Sequence, residues 1–174
     1  KDIVQEAVDE LAVKGYRVLA VAQTVHEGDR FPDEQQQFSF YFKGLVAFYD
    51  PPKKNIRSVF GAFNDAGIKV KIITGDNVAT TTTIARQIGF TNAEKSFDGE
   101  KLMNMTDDEL AEKVKQADIF TRMFPDAKLR VIEALKANAE IVAMTGDGVN
   151  DGPALKSAHI GIAMGKKGTE IARQ

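Results

Sequence analysis

Two aspartates stand four residues apart in a glycine-rich stretch that directly follows a short apolar run. The stretch reads MTGDGVNDGPAL from Met144 to Leu155, and its aspartates are Asp147 and Asp151. An apolar run that ends in glycines and carboxylates is typical of a buried strand followed by a loop. Carboxylate oxygens are the ligands that a hard cation such as Mg²⁺ prefers. This stretch is therefore the most specific candidate for chemistry in the chain.

A second motif of the same kind, which we also call a T-G-D phrase, directly follows an earlier apolar run. KIITGDN places Thr74, Gly75 and Asp76 directly after Ile72 and Ile73. In a parallel sheet the carboxyl ends of all strands lie along one edge, and ligands bind in the crevice there. Both T-G-D phrases are therefore predicted to meet at one crevice.

A lysine is predicted to reach the same crevice. Pro125 stands where the first position of a helix is expected, which puts Lys128 in the first turn of that helix. Taken singly, each T-G-D phrase also fits a simple turn, and Lys128 also fits a solvated helix lysine. Taken together, the crevice is predicted to hold carboxylates, an amide, a hydroxyl and one ammonium, in the set Thr74, Asp76, Lys128, Asp147, Asn150 and Asp151.

The charges of this set indicate which ligand it suits. Three carboxylates against one lysine would repel a phosphate, and Mg²⁺ removes the conflict because it binds carboxylate and phosphate oxygens together. Lys128 can then neutralise a phosphoryl oxygen, while the Thr74 hydroxyl and nearby backbone N–H groups donate to others. Positioning and charge neutralisation around a metal ion are the chemistry of phosphoryl transfer.

The elements that position these residues alternate along most of the chain. The patterns predict helices over 3–12, 53–66, 77–88, 106–116 and 125–137, and strands over 16–22, 40–50, 68–73, 118–121, 140–144 and 159–164. A capping box, TDDE at 106–109, marks one helix start. Alternating strands and helices predict an α/β fold with a parallel sheet, and strands rich in Ile and Val predict burial on both faces. The proline pair in DPPKK, at 50–54, predicts a hinge between a region 1–52 and a region 53–174.

Composition narrows the function class. The chain has 174 residues, a net charge of -2 and no cysteine, which gives no reason to expect nucleic acid and excludes disulfides and thiolate metal sites. His26 and His159 are too few for a zinc site, and no apolar stretch approaches the ~20 residues of a membrane helix. The chain starts without Met and stops within a predicted helix, KKGTEIARQ, so we expect a piece of a larger protein.

Four segments resemble a known family, in the same order. DPPKK, AGIKVKIITGDN, FTRMFPDAKLRVIEAL and MTGDGVNDGPALKSAHIGIAMG are similar to the cytosolic signatures of P-type cation-transporting ATPases, over about residues 10–173. The resemblance implies a Rossmann-like parallel sheet of the haloacid dehalogenase type, preceded by a small α+β remnant of the nucleotide-binding domain. It also implies an aspartyl-phosphate formed from MgATP, hydrolysis coupled to cation transport, and a place on the cytoplasmic face of a membrane.

The resemblance also implies roles for particular residues. Asp147 resembles the main magnesium ligand, with Asn150 and Asp151 beside it and Asp151 as a second metal carboxylate. Thr74 and Gly75 resemble the hydroxyl and backbone donors to the phosphoryl group, and Lys128 the lysine that neutralises it. The residues that resemble contacts to nucleotide or its phosphates are Asp50, Asp76 and Arg122.

The sequence departs from the family in two places. Lys53 stands where arginine is common, and the D-K-T-G-T segment with the phosphorylated aspartate is absent. In this superfamily the strand of that segment lies between the strands that end at Thr74 and Thr145. We therefore predict an open slot in the sheet, a chain that is unstable alone or fills the slot, and no activity for the isolated chain. The expected partners are the nucleophile strand, nucleotide domain, actuator domain and membrane helices of the same pump, with the transported cation bound there.

Two other functions compete with this interpretation. A stand-alone Mg²⁺-dependent phosphatase of the same superfamily would need its own D-x-D nucleophile, which the sequence lacks. A non-catalytic Mg²⁺- or phosphate-binding module of the receiver type would place its acidic pair after the first strand, whereas here the pair follows a late one. The phrase GIAMGKKGTEIA resembles calcium- or sodium–potassium-type pumps more than heavy-metal ones.

Overall fold

Helices and strands alternate through a computed structural model that describes residues 2–146 and 149–164. The helices are α1 Asp2–Val13, α2 Ile56–Asp65, α3 Val78–Gln87, α4 Gly99–Met103, α5 Asp107–Gln116, α6 Pro125–Ala137 and α7 Gly152–Ser157. The strands are β1 Arg17–Gln23, β2 Tyr41–Phe48, β3 Ile72–Ile73, β4 Ser96–Asp98, β5 Ile119–Thr121, β6 Ala143–Gly146 and β7 Ile160–Ala163. Short 3₁₀ turns cover Gln35–Gln37 and Val149–Asp151. No helix among these residues is both long and apolar enough to cross a bilayer.

The strands form three small sheets. β1 and β2 pair antiparallel, β3, β5 and β4 form a parallel sheet in that order, and β6 and β7 form a parallel pair. Parallel strands joined by helices confirm the predicted α/β class. The antiparallel pair precedes them, as the predicted α+β remnant requires.

The two parallel sheets are not paired with each other within the described residues, and each has an open edge. Within the described ranges no ladder joins β3 to β6, although a 4.0 Å contact between Lys69 Nζ and Glu140 Oε1 links the segments that lead into them. The slot predicted between the strands that end at Thr74 and Thr145 is compatible with this separation and stays a prediction. Unpaired strand edges expose backbone donors and acceptors, so both edges are able to accept another strand.

The helix α6 lies at the centre of the packing. It crosses from β5 to β6 and packs against α5 and α7, and Val131 and Ile132 are almost fully buried. One core cluster gathers apolar side chains from α4, α5, β5, α6, β6 and α7, including Leu102, Leu110, Val114, Phe120, Met144 and Leu155. Because the start of α6 is tied to this core, the side chains of its first turn are held in place.

Several details differ from the sequence-based predictions. β4, α4 and α7 were not predicted, because three to six residues are too few to show a period. Burial on both faces holds for β5 but is wrong for β6 and β7, where Thr145, Ile160 and Ile162 are exposed. These strands border the open edge, so the described residues leave part of their surface uncovered. The predicted terminal helix in KKGTEIARQ lies outside the described residues, and the hinge boundary remains a prediction.

The antiparallel pair is attached to the rest through α3. The Thr80 hydroxyl donates to the carbonyl of Tyr16 at 3.1 Å, and the Thr83 hydroxyl donates to the carbonyl of Val13 at 3.0 Å. Thr80 is buried, so its hydrogen bond is shielded from water. Two polar bonds therefore fix the α1–β1 turn on one face of α3.

The capping box at the start of α5 is confirmed. Thr106 Oγ1 accepts from the Glu109 N–H at 3.3 Å, and the Glu109 carboxylate accepts from the Thr106 N–H at 2.8 Å. Replacing Thr106 by Ala should lower the free energy of unfolding by about 1 kcal/mol, because one helix donor loses its partner. Urea denaturation measures this, and Thr91→Ala, on an exposed loop, is the matched control that should change little.

The same box gives the prediction a pH signature. Hydrogen bonds from the Thr106 N–H and hydroxyl hold the pKa of Glu109 below its ordinary value of 4.5. A lowered pKa in the folded state means that the carboxylate stabilises the fold above pH 4.5 and loses this contribution as the pH falls through the lowered pKa. A difference between variant and parent that grew on acidification would contradict the assignment.

Candidate functional site

The first T-G-D phrase forms a tight turn at the end of β3. The Thr74 N–H donates to the Phe120 carbonyl at 2.9 Å, and the Thr74 carbonyl accepts from the Met123 N–H at 2.9 Å. The Thr74 hydroxyl oxygen accepts from the Asp76 N–H at 3.1 Å, which bends the chain back. Because that hydroxyl acts as an acceptor here, its hydrogen remains available for a ligand.

Asp76 connects this turn to α3 and to the next strand. Its carbonyl accepts from the Arg122 N–H at 2.9 Å, and its carboxylate lies 3.7 Å from the Arg17 guanidinium. Asn77 follows at once and caps α3, with its side chain accepting from the Thr80 N–H at 2.9 Å. The helix therefore begins at the crevice, with its positive end on the same side as Asp76.

Arg122 has an unusual backbone at the end of β5. Its φ is 52°, in the left-handed region that residues other than glycine rarely adopt. Its guanidinium lies 3.7 Å from the Asp98 carboxylate, at the end of β4. The described contacts therefore place Arg122 beside Asp98, and they do not join it to Asp50.

Gly99 allows the turn after β4 to approach Arg122 closely. A Cβ atom at Gly99 would lie 2.6 Å from the Arg122 carbonyl oxygen, which is backbone and cannot swing away. Replacing Gly99 by Ala should therefore lower the free energy of unfolding by about 2 kcal/mol, as overpacked buried sites do. Thermal and urea unfolding both measure the loss.

Gly61 supplies the matched control for this substitution. It lies inside α2, and a Cβ atom there would meet nothing within 4 Å. Gly61→Ala should raise the free energy of unfolding by up to about 1 kcal/mol, because alanine favours the helix. Two substitutions that shifted stability equally would show that the approach at Gly99 is not tight.

Lys128 and Asp151 form a short ion pair. Lys128 Nζ donates to Asp151 Oδ1 at 2.6 Å, and the two side chains are only 13% and 12% exposed. Pro125 occupies the start of α6, as predicted, and this fixes Lys128 in the first turn. A pair so shielded from water interacts more strongly than one on the surface.

The close approach of Asp151 to Gly146 explains why the second T-G-D phrase needs a glycine. A Cβ atom there would lie 2.8 Å from Asp151 Oδ2. The carboxylate therefore packs directly on the backbone at the end of β6. Any side chain at this position would push Asp151 away from Lys128.

The start of α6 brings the two halves of the crevice together. Met123, whose N–H donates to Thr74, lies two residues before α6, and Lys128 in the first turn of α6 reaches Asp151 after β6. The ends of β3 and β6 therefore face the same helix terminus. These contacts place Thr74, Lys128 and Asp151 near the start of α6, and their shared role stays a prediction.

The remaining predicted residues have different positions. Gly75 and Asn150 are exposed in their turns, and Asp50 is exposed just after β2. Arg17, which pairs in register with Phe48 of β2, brings that end of the hairpin towards Asp76. Asp147 lies outside the described residues. The described part contains no group of three acidic or histidine side chains that could hold a metal ion.

A magnesium ion needs fewer protein ligands than such a group provides. Mg²⁺ keeps several waters and takes one or two carboxylates, together with phosphate oxygens. Asp151 is buried and has one oxygen, Oδ2, outside the short contact with Lys128. This free carboxylate oxygen is of the kind that Mg²⁺ binds.

Sequence reasoning missed three residues of this site. Arg17 and Asp98 each bring a charge to the crevice residues, and Gly99 shapes the turn beside them. The FDGE stretch that holds Asp98 and Gly99 offered a weak signal, since it joins an aspartate and a glycine after an aromatic residue. Arg17 gave no signal, because its contact spans two regions that the sequence separates.

Comparison with known proteins identifies the fold. A family model described as a haloacid dehalogenase-like hydrolase matches residues 22–159, which is most of the chain. The match includes Thr74, Lys128 and Asp151. This agrees with the parallel sheets and with the crevice at their carboxyl edge.

Curated relatives match over nearly the whole chain. It is 42% identical to the cation-transporting ATPase pma1 of Synechocystis sp., with 98% of this chain and 19% of that protein aligned. It is 41% identical to the probable cation-transporting ATPase F of Mycobacterium bovis, over 98% of this chain and 20% of that protein. It is 36% identical to the calcium-transporting ATPase 1 of Saccharomyces cerevisiae, over 100% of this chain and 19% of that protein.

The chain thus spans about a fifth of the length of these relatives. The matched region begins in the α1–β1 part and continues through both T-G-D phrases. The chain therefore belongs to the haloacid dehalogenase-like hydrolases, and its whole length corresponds to a segment of the P-type cation-transporting ATPases.

Proposed function

We propose that this chain supplies the Mg²⁺-holding and phosphate-stabilising part of an ATP-driven cation pump that forms an aspartyl-phosphate. The observation that carries the proposal is the shielded pair of Lys128 and Asp151 beside the Thr74 turn. It puts one ammonium, one carboxylate and one hydroxyl at a single helix terminus. A phosphoryl group and its metal ion need this combination of charges.

Each residue of the crevice has a distinct task in the proposal. Lys128 stabilises the oxygens of the transferred phosphoryl group, and the Thr74 hydroxyl and Gly75 N–H donate to them. Asp147 and Asp151 would hold Mg²⁺, with Asn150 supporting them, and the bound ion neutralises phosphate charge. Asp151 also keeps the Lys128 ammonium in position through the 2.6 Å contact.

The nucleotide is proposed to lie on the outer side of the Thr74 turn. Asp76 and Arg122 adjoin each other through the 2.9 Å backbone bond, and Arg17 faces Asp76. Asp50 follows β2, whose end pairs with Arg17. These residues would orient ATP while Thr74 and Lys128 contact its terminal phosphate.

The phosphorylated aspartate is proposed to belong to a part of the pump outside this sequence. The sequence contains no D-K-T-G-T and no D-x-D segment. The missing strand fits the open edge between β3 and β6. The proposed partners are therefore the nucleophile strand, the nucleotide and actuator domains and the membrane helices, where the cation binds. A stand-alone phosphatase is disfavoured because no nucleophile of its own is present.

The transported cation is proposed to be calcium or a similar hard ion. Relatives from yeast and rat are named calcium-transporting ATPases, at 36% and 38% identity. The pump would place this segment on the cytoplasmic face of a membrane, where ATP is available.

A phosphorylation experiment on the full-length protein tests the proposal. Incubation with Mg²⁺ and ATP labelled in the γ-phosphate should give a labelled protein that resists acid and releases phosphate with hydroxylamine, as an acyl phosphate does. The 174-residue chain alone should take up no label. Label in the isolated chain would place a nucleophile within it and contradict the proposal.

A further inference from the structure

A large cleft lies at the edge of the three-stranded sheet opposite the crevice. It has a volume of about 1500 Å³ and is bordered by the segments that lead into β3, β4 and β5. The carboxyl ends of α2, α3 and α5 form its rim, near Gly67, Gly89 and Gln116. None of the crevice residues lines it, so its role is separate from the proposed phosphoryl transfer.

Basic side chains dominate the lining of this cleft. Two acidic residues, Glu94 and Asp118, face six basic ones. The basic residues are Arg57, Lys69, Lys71, Lys95, Lys113 and Lys115. The chain as a whole carries a net charge of -2, so the local excess of cations runs against its overall charge. A concave surface with such an excess raises the local concentration of anions.

Both acidic residues already have partners. The Asp118 carboxylate accepts from Lys71 at 3.1 Å and from Asn92 at 3.0 Å. The Glu94 carboxylate accepts from Arg86, outside the cleft, at 2.6 Å. Neither carboxylate is therefore left to balance the other cations.

Three of the cations make no salt bridge within the part of the chain that the structure describes. These are Arg57, Lys95 and Lys113. Arg57 donates to the Gln87 carbonyl at 2.9 Å, and Lys113 lies 4.8 Å from the Phe97 ring centre. Neither contact removes a positive charge.

The helix dipoles are an alternative explanation for these cations. The partial charge at each helix end shows how much of the positive charge the dipoles can balance. Each helix carboxyl end carries roughly half a negative charge, so the three ends together balance about half of the three unpaired cations. A positive surplus remains in the cleft. The dipoles therefore explain part of the basic lining and leave the rest for a ligand.

Phe60 and Phe90 form an apolar part of the cleft lining, which we call the floor. The Phe60 and Phe90 rings meet edge to face, with their centres 5.4 Å apart. Ile88, which is buried, and Ile68, which is exposed, also line the cleft. A ligand that matched this surface would combine anionic groups with a less polar portion.

We propose that the cleft binds a ligand bearing two or more phosphate groups. The unpaired ammonium groups of Lys95 and Lys113, together with Arg57, would contact the phosphates, while the Phe60–Phe90 floor contacts the rest of the molecule. Two sources share this chemistry, a soluble polyphosphate and the headgroup of a phosphorylated lipid. The ligand would bind at the sheet edge opposite the crevice, so it would not compete for the proposed ATP site.

Calorimetric titration with inorganic tripolyphosphate, without Mg²⁺, tests the cleft. The chain should bind one molecule, and the double variant Lys95→Gln/Lys113→Gln should bind about tenfold more weakly. The control Lys43→Gln/Lys101→Gln removes the same charge from exposed positions outside the cleft and should stay within about twofold. Thr74→Ala changes the opposite edge and should also leave binding unchanged.

Vesicles distinguish the two sources of phosphate. Phosphatidylcholine vesicles with phosphatidylinositol bisphosphate should retain the chain more than plain ones if the ligand is a lipid headgroup, and equally if it is soluble. Circular dichroism of the parent chain and of each variant establishes that both are folded under the titration conditions, and the substitutions should not change this because Lys95 is exposed and Lys113 half-buried. Equal binding by the cleft variant and its control, or no binding by the parent chain, would overturn the proposal. So would loss of binding on Thr74→Ala alone.

Discussion

Replacing Lys128 by Ala in the full-length protein should slow phosphoryl transfer by about 10²-fold, as the loss of one preorganised donor does in other enzymes. The ammonium is held 2.6 Å from Asp151 and is 13% exposed, so water cannot readily substitute for it. The rate of phosphoenzyme formation in a single turnover measures the effect. A change of less than about threefold would make Lys128 a structural lysine only.

The substitution also leaves the Asp151 carboxylate without its partner, and a control must separate the two effects. Breaking a buried pair from one side costs several kcal/mol of stability. Lys136→Ala is the matched variant, because Lys136 lies on the same helix and donates to the Ser157 carbonyl at 2.6 Å. Its loss should reduce stability while leaving the rate of phosphoryl transfer nearly unchanged.

Replacing Asp147 by Ala should abolish phosphorylation from MgATP. In the proposal Asp147 is the main carboxylate for the ion, and Asp151 already shares its charge with Lys128. Without Asp147 the ion is held too weakly to neutralise the negative charge of the phosphates. The labelled phosphoenzyme measures the loss over a range of Mg²⁺ concentrations.

Asp126, in the first turn of α6, provides the control. Asp126→Ala removes an exposed carboxylate from the first turn of α6, two residues before Lys128. It should leave the phosphoenzyme level within about twofold, since exposed charges near a helix end contribute little. Normal labelling of the Asp147 variant would show that another group binds the ion.

Local patterns predicted the parts of the fold that short-range chemistry decides. Pro125 at the start of α6 and the Thr106–Glu109 box at the start of α5 are both present as expected. The same patterns placed Lys128 in a first turn, from which it reaches Asp151. These features depend on a few adjacent residues, so a single sequence contains the information needed.

Features that depend on distant contacts could not be predicted in this way. Arg122 has a left-handed backbone, and it contacts Gly99 and the Asp76 carbonyl, which both lie more than 20 residues earlier in the chain. The burial of β6 and β7 depends on which other elements cover their faces. The apolar residues of the two strands alone therefore do not reveal that these faces are exposed. Short elements such as β4 have too few residues for a period to appear.

The two threonine bonds on α3 have a mechanical consequence. Thr80 and Thr83 hold the α1–β1 turn, and Arg17 from the same region faces Asp76, directly before the cap of α3. The helix α3 therefore connects the antiparallel pair to the crevice, in addition to the covalent link at 49–55. If the antiparallel pair rotated about the prolines at 51–52, α3 would transmit the movement to its first turn. In the proposed function, this movement would also change the orientation of the Asp76 carboxylate.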